Sequence, residues 1–123
     1  MDAALEHGIE LFNREEFFEC HEVLEAIWTP ERGPRRLFLQ SLIHFAVAFY
    51  HDQRGNPLGA GRQLRKGLRK LAAYLPACEG IDTGQLHRDG VTAVERAEAG
   101  LPVGEYPRML LWRTHSCVQR GHS

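Results

Sequence analysis

Residues 37–50 read Leu37-Phe38-Leu39-Gln40-Ser41-Leu42-Ile43-His44-Phe45-Ala46-Val47-Ala48-Phe49-Tyr50, and only Gln40, Ser41 and His44 are polar. A helix that is apolar nearly all round must be covered on most sides by others, so this stretch predicts the central helix of an all-helical protein. Pro34 suits a first helical turn, and Gly55-Asn56-Pro57 is a sharp stop. The expected span is therefore about Arg35 to Gln53.

Working outward, Leu5, Ile9 and Phe12 recur at helical spacing and predict a short first helix. Asn13 is the expected cap of a second helix, with Glu15 and Glu16 in its first turn, where the helix dipole favours negative charge. That helix should run to Trp28, before the break at Thr29-Pro30-Glu31-Arg32-Gly33-Pro34. A fourth helix is expected over 58–75, with Leu64, Leu68, Leu71 and Leu75 as its inner stripe and Pro76 as its stop. A fifth begins at Asp82 or Thr83, is interrupted by Gly84 and Gly90, and ends at Gly100. The remainder has little periodicity and predicts an extended tail against the bundle. The expected fold class is all-α: a single-domain antiparallel helical bundle of about five helices over residues 2–100 with an irregular C-terminal tail over 101–123.

Composition agrees with one globular domain: 123 residues, 43% hydrophobic and 25% charged. Fifteen basic against sixteen acidic side chains leave a net charge of −1, which argues against a whole-surface affinity for nucleic acid or membrane. The longest apolar run, Phe45 to Tyr50, is far too short to span a bilayer. The opening residues Met1-Asp2-Ala3-Ala4-Leu5-Glu6-His7 are acidic and lead into no apolar segment, which predicts no secretory signal. Cys20, Cys78 and Cys117 form no CxxC pair, and reduced thiols in a cytoplasmic protein are expected.

The informative residues are polar ones on apolar arcs. On a wheel of about 100° per residue, Phe17, Phe18, Leu24, Glu25 and Trp28 all fall within about 60° of His21. Gln40, His44 and His51 share one narrow stripe of the third helix, beside Val47. If the two helices pack antiparallel, a buried cluster of His21, Glu25, Gln40, His44 and His51 results. A carboxylate there must be protonated, hydrogen-bonded or bound to a cation. Imidazoles with a carboxylate suit a divalent metal ion such as zinc, iron, manganese or nickel. The expected site is His21, Glu25 and His51, bordered by Trp28, Gln40 and His44, with Trp28 and Phe17 as walls. It would serve metal or small-ligand binding, with hydrolysis as the reaction such a site could carry. His21-Glu22-Val23-Leu24-Glu25 lacks the second histidine of an HExxH protease helix. A connected hydrogen-bond network that only sets helix register is the competing reading.

A second surface is basic. Arg62, Arg65, Lys66, Arg69 and Lys70 fall within about 140° of arc, and no acidic residue lies between Pro57 and Ala77. This face of helix 58–75 could take nucleic acid or an acidic protein partner, in which case the His/Glu cluster would be purely structural. Net charge makes nucleic acid the weaker choice, and a homo-oligomer is compatible with the sequence.

Phe12-Asn13, the run Glu16 to Trp28 with its His-x-x-x-Glu-x-x-Trp pattern, Gln40-Ser41-Leu42-Ile43, His51, Gly55-Asn56 and Gly59-Ala60 occur in a characteristic order. Together they resemble a small bacterial and archaeal family known as domain of unknown function 309, over roughly Leu5 to Leu75. The resemblance implies an all-helical fold and a His-x-x-x-Glu motif suggested to bind metal, with no established activity. The motif residues here are His21, Glu25 and Trp28, and His44 stands where the family pattern expects glutamine.

Overall fold

The computed structural model describes residues 2–112, so the expected tail beyond Trp112, with Cys117, lies outside the described residues. Five α-helices follow in order: α1 (Ala3–Asn13), α2 (Phe17–Trp28), α3 (Arg36–Gln53), α4 (Pro57–Leu71) and α5 (Thr83–Glu98). A short 3-10 turn, Ala72–Tyr74, extends α4. No strand forms among the described residues; Ile81 makes isolated bridges to Cys78 and Leu111. The result is an all-α bundle in which successive helices pack on one another, with α3 between α2 and α4.

Capping chemistry sets several ends. Asp2 accepts the Leu5 amide at 2.7 Å, Asn56 the Gly59 amide at 3.0 Å, and Asp82 the Gln85 amide at 3.0 Å. Pro57 then occupies the first turn of α4, where its missing N–H costs nothing. Asn13 is not the cap of α2. It is the last residue of α1, and its amide both donates to the Met109 carbonyl and accepts the Met109 amide. The α1–α2 turn instead runs through Glu15 at a positive φ of 64°, and α2 starts at Phe17 without a side-chain cap. The fourth helix stops four residues earlier than the expected Leu75, which is 41% exposed and not part of the inner stripe.

Gly84 and Gly90 do not interrupt α5, which is continuous. Gly90 is a packing residue: a Cβ there would lie 2.9 Å from the Phe45 ring. Gly67 of α4 presses the same ring, where a Cβ would stand 2.8 Å away. Phe45 is thus held between two glycines, which lets α4 and α5 close on α3.

One contiguous core includes Leu5, Phe12, Phe17, Leu24, Leu39, Leu42, Phe45, Phe49, Leu64 and Leu86. Phe12, Phe17, Phe49 and Tyr106 form an aromatic cluster with centroids 5.1–5.9 Å apart. Tyr106 belongs to the arm 101–112, whose Val103 and Met109 are buried against the bundle. Asp52 fastens it, accepting the Val103 amide and the Tyr106 hydroxyl. A second fastening is Arg35, which donates twice to Glu79 and once to Asp2. No helix among the described residues is long and apolar enough to cross a membrane.

Candidate functional site

The central helix is not covered all round. Phe38, Leu39, Leu42, Phe45, Ala46 and Phe49 are buried, while Gln40, His44, Val47, Tyr50 and His51 are only half-buried. The polar stripe is therefore the side of α3 left partly open, between the shoulders of α2 and α4. Its placement has the opposite physical reason to the one expected. Gln40 and His51 need no fully buried partners because they keep part of their hydration, whereas His44 is satisfied on one ring nitrogen only.

On the α2 side, Phe18, His21, Val47, Tyr50 and His51 line a half-open cleft of about 240 Å³. The rings of Phe18 and Tyr50 are 5.5 Å apart, and Phe18 also stands 6.1 Å from the His21 ring. His51 has a neighbour on its other side, the Asn56 side-chain amide at 3.3 Å from Nδ1. His21 Nε2 lies 3.3 Å from a Glu25 carboxylate oxygen. So His21 and His51, from two helices, do come to one cleft.

The rest of the expected cluster does not follow. Glu25 is exposed, with 51% of its side chain open to solvent, so its burial is corrected. It pairs with His21 at the rim because it sits one turn further along the outer shoulder of α2. His44 turns to the other shoulder, where Nδ1 meets Gln63 Oε1 at 2.7 Å and Nε2 is buried without a partner among the described residues. Burial holds its pKa below the ordinary imidazole value; the Gln63 bond opposes this, and the nearby Lys70, Lys66 and Arg69 charges reinforce it. Gln40 does not line the cleft. Trp28 and Phe17 are not its walls either. Phe17 packs in the aromatic core, and Arg36 stacks over the Trp28 ring at 4.1 Å.

This donor set does not fit a resident metal. Among the described residues no three of His, Cys, Asp and Glu form a group that could hold a metal ion. Cys20 is buried against the core, and burial pushes its thiol pKa up to about 12, which removes it as a nucleophile. Roomier clefts exist, one of about 420 Å³ between α5 and the arm that includes Gln85, Asp89 and Arg108. They lack a pair of imidazoles.

The basic residues are where helical periodicity put them. Arg62, Arg65, Lys66 and Arg69 are exposed and Lys70 is half-buried. Arg65 is paired with Glu98 of α5. Among the described residues no carboxylate pairs with Arg62, Lys66, Arg69 or Lys70.

Helical periodicity placed Val47 beside the stripe but did not bring Tyr50 or Gln63 to the site. Tyr50 was discoverable: on the wheel it flanks the His51 stripe at about 80° from Gln40. Asp52 also carried a signal, since a carboxylate in the last turn of a helix opposes the dipole unless something binds it.

Among known proteins, the chain is 36% identical over 87 residues to the uncharacterized protein YpuF of Bacillus subtilis (strain 168). The match covers 68% of this chain and 50% of that protein, so the chain spans about half the length of this curated relative. The family model described as "Domain of unknown function (DUF309)" matches residues 5–63, a segment holding His21, Glu25, Trp28 and the whole imidazole cleft, and this segment is what the chain shares with that family.

Proposed function

We propose that the protein binds a small organic ligand in the cleft between α2 and α3. The observation that supports this reading is the meeting of His21 and His51 in one half-open cleft with Phe18, Val47 and Tyr50. Apolar walls with a few convergent polar groups are what small-ligand sites are made of. Phe18 and Tyr50 suit a flat or apolar body. The two imidazoles suit a head group that both donates and accepts hydrogen bonds. The Glu25 carboxylate beside Nε2 favours the His21 tautomer that carries its proton there, leaving Nδ1 as the acceptor. A ring so oriented can take a proton from a bound ligand or water, which is the chemistry a hydrolytic role needs. The divalent-metal reading of His21, Glu25 and His51 has less support, because the third donor does not converge.

The test is a thermal-shift screen of small carboxylates, phosphates, amides and phenols on the wild type and on Val47→Trp, which fills the cleft at a half-buried position. Stabilisation of the wild type that Val47→Trp abolishes supports the reading. Stabilisation that survives the substitution, or that zinc produces and organic fragments do not, contradicts it.

The second reading, a binding module on the basic face of α4, is favoured by the cations that lack carboxylate partners. An acidic protein surface suits them better than nucleic acid, because the chain's net charge is −1 and no exposed aromatic interleaves with them.

A further inference from the structure

The α4 cations have a complement on the same molecule, on the opposite shoulder of the open side of α3. Glu22 and Glu25 of α2 are exposed, and Glu25 has only His21 beside it. Levels along the bundle follow from the contacts. His51 lies beside Gly59, with a Cβ there 3.0 Å from the His51 ring, and His44 lies beside Gln63 and Gly67. On the other shoulder, His21 is level with Val47 and His51. Glu22 and Glu25 therefore stand at the height of Arg62 and Lys66, across α3. Along their helices they lie about 100° and 40° from His21, and the two cations about 100° and 60° from Gln63, both turning outward.

We infer that the open side of α3 is an interface with a second copy of this chain. A two-fold axis parallel to α3 preserves height and exchanges left for right. It sets α2 of one copy against α4 of the other, so that Glu22 and Glu25 meet Arg62 and Lys66 twice over. Between these charged edges it roofs the imidazole cleft, covering Phe18, which is 45% exposed, with half-buried Val47 and Tyr50, so that a ligand in the cleft would be enclosed between the two copies. A charged rim around an apolar centre is the anatomy of a specific protein interface. The other axis in the plane of this face, across the helices, sets α2 on α2 and α4 on α4, joining like charges. This inference rests on the basic-face reading and names its occupant.

The test is sedimentation velocity over a concentration series at low salt. The wild type should approach twice the chain mass of 14.0 kDa, and less so as salt rises. Glu22→Lys/Glu25→Lys and Arg62→Glu/Lys66→Glu should each sediment at the chain mass, with circular dichroism confirming the fold. An equimolar mixture of the two variants should recover the doubled mass, because every contact in the mixed pair is again opposite in charge. A dimer unmoved by either variant, or variants that stay monomeric when mixed, overturns the inference. A wild-type monomer that binds an acidic peptide or an oligonucleotide through α4 overturns the second copy and keeps the basic face. A monomer that binds neither overturns both.

Discussion

Nδ1 of His44 on α3 stands 2.7 Å from Oε1 of Gln63 on α4, and this contact decides how the ring behaves. The amide oxygen can only accept, so Nδ1 carries the proton and Nε2 is left as a bare acceptor, buried without a partner among the described residues. Charging the ring would place a second cationic N–H in that dry position, beside three basic side chains of α4.

His44 should therefore titrate below the ordinary imidazole value of 6.5. The sign follows from linkage: a folded-state pKa below the unfolded one favours the neutral ring, so its stability is present above pH 6.5 and is lost as pH falls through the folded pKa. Ring-proton NMR titration measures the shift. Urea unfolding of the wild type against His44→Gln measures the linkage, and the variant should lose less stability on acidification. A ring titrating at or above the ordinary value contradicts this account.

Gly67 and Gly90 should not accept a methyl group. Each would place Cβ under 3.0 Å from the Phe45 ring, which has no room to withdraw because it is fully buried. Gly67→Ala or Gly90→Ala should cost about 1–3 kcal/mol by overpacking, despite the better helix propensity of alanine. Denaturant midpoints check this, and an unchanged or raised midpoint contradicts the packing described.

Leu42 and Ala46 are both fully buried on the covered side of α3. Leu42→Asp or Ala46→Asp leaves an unpaired carboxylate in the core, and either should abolish cooperative unfolding. A variant with the wild-type melting temperature would show that α3 is not central.

The arm should loosen when its fastening is removed. Asp52→Asn weakens acceptance of the Val103 amide and the Tyr106 hydroxyl, at about 1.5–3 kcal/mol for bonds to a charged group. Hydrogen exchange should rise first at Val103. The Tyr106 phenol is pushed well above its ordinary value of 10.0, first by burial and then by Asp52. A raised acid favours its neutral form in the fold, so stability is complete below that value and is lost as pH climbs beyond it. Tyr106→Phe should flatten this alkaline loss, and equal alkaline sensitivity in both proteins contradicts the assignment.

The helices were legible because apolar periodicity, prolines and caps report local structure, and α3 was found almost to the residue. Two features escaped for physical reasons. Gly90 looks like a helix breaker by propensity, but its missing side chain is what admits the Phe45 ring, a tertiary fact no local rule contains. The polar stripe of α3 was read as buried because its helix is so apolar. Burial depends on how many neighbours arrive, and here none covers Gln40, His44 and His51 fully. The pairing of His21 with Glu25 was readable from a spacing of four on a helix, and the divergence of His44 toward α4 was not.

The central claim is that His21 and His51 serve one ligand. Its most direct measurement is NMR observation of the two ring Cε1–H signals, assigned by His21→Gln and His51→Gln, while a stabilising fragment is added. The account predicts that both signals move on one binding curve, together with the Phe18 and Tyr50 rings, and that the His44 signal stays still. Movement of neither histidine, or of His21 and His51 on separate curves with different midpoints, would contradict it.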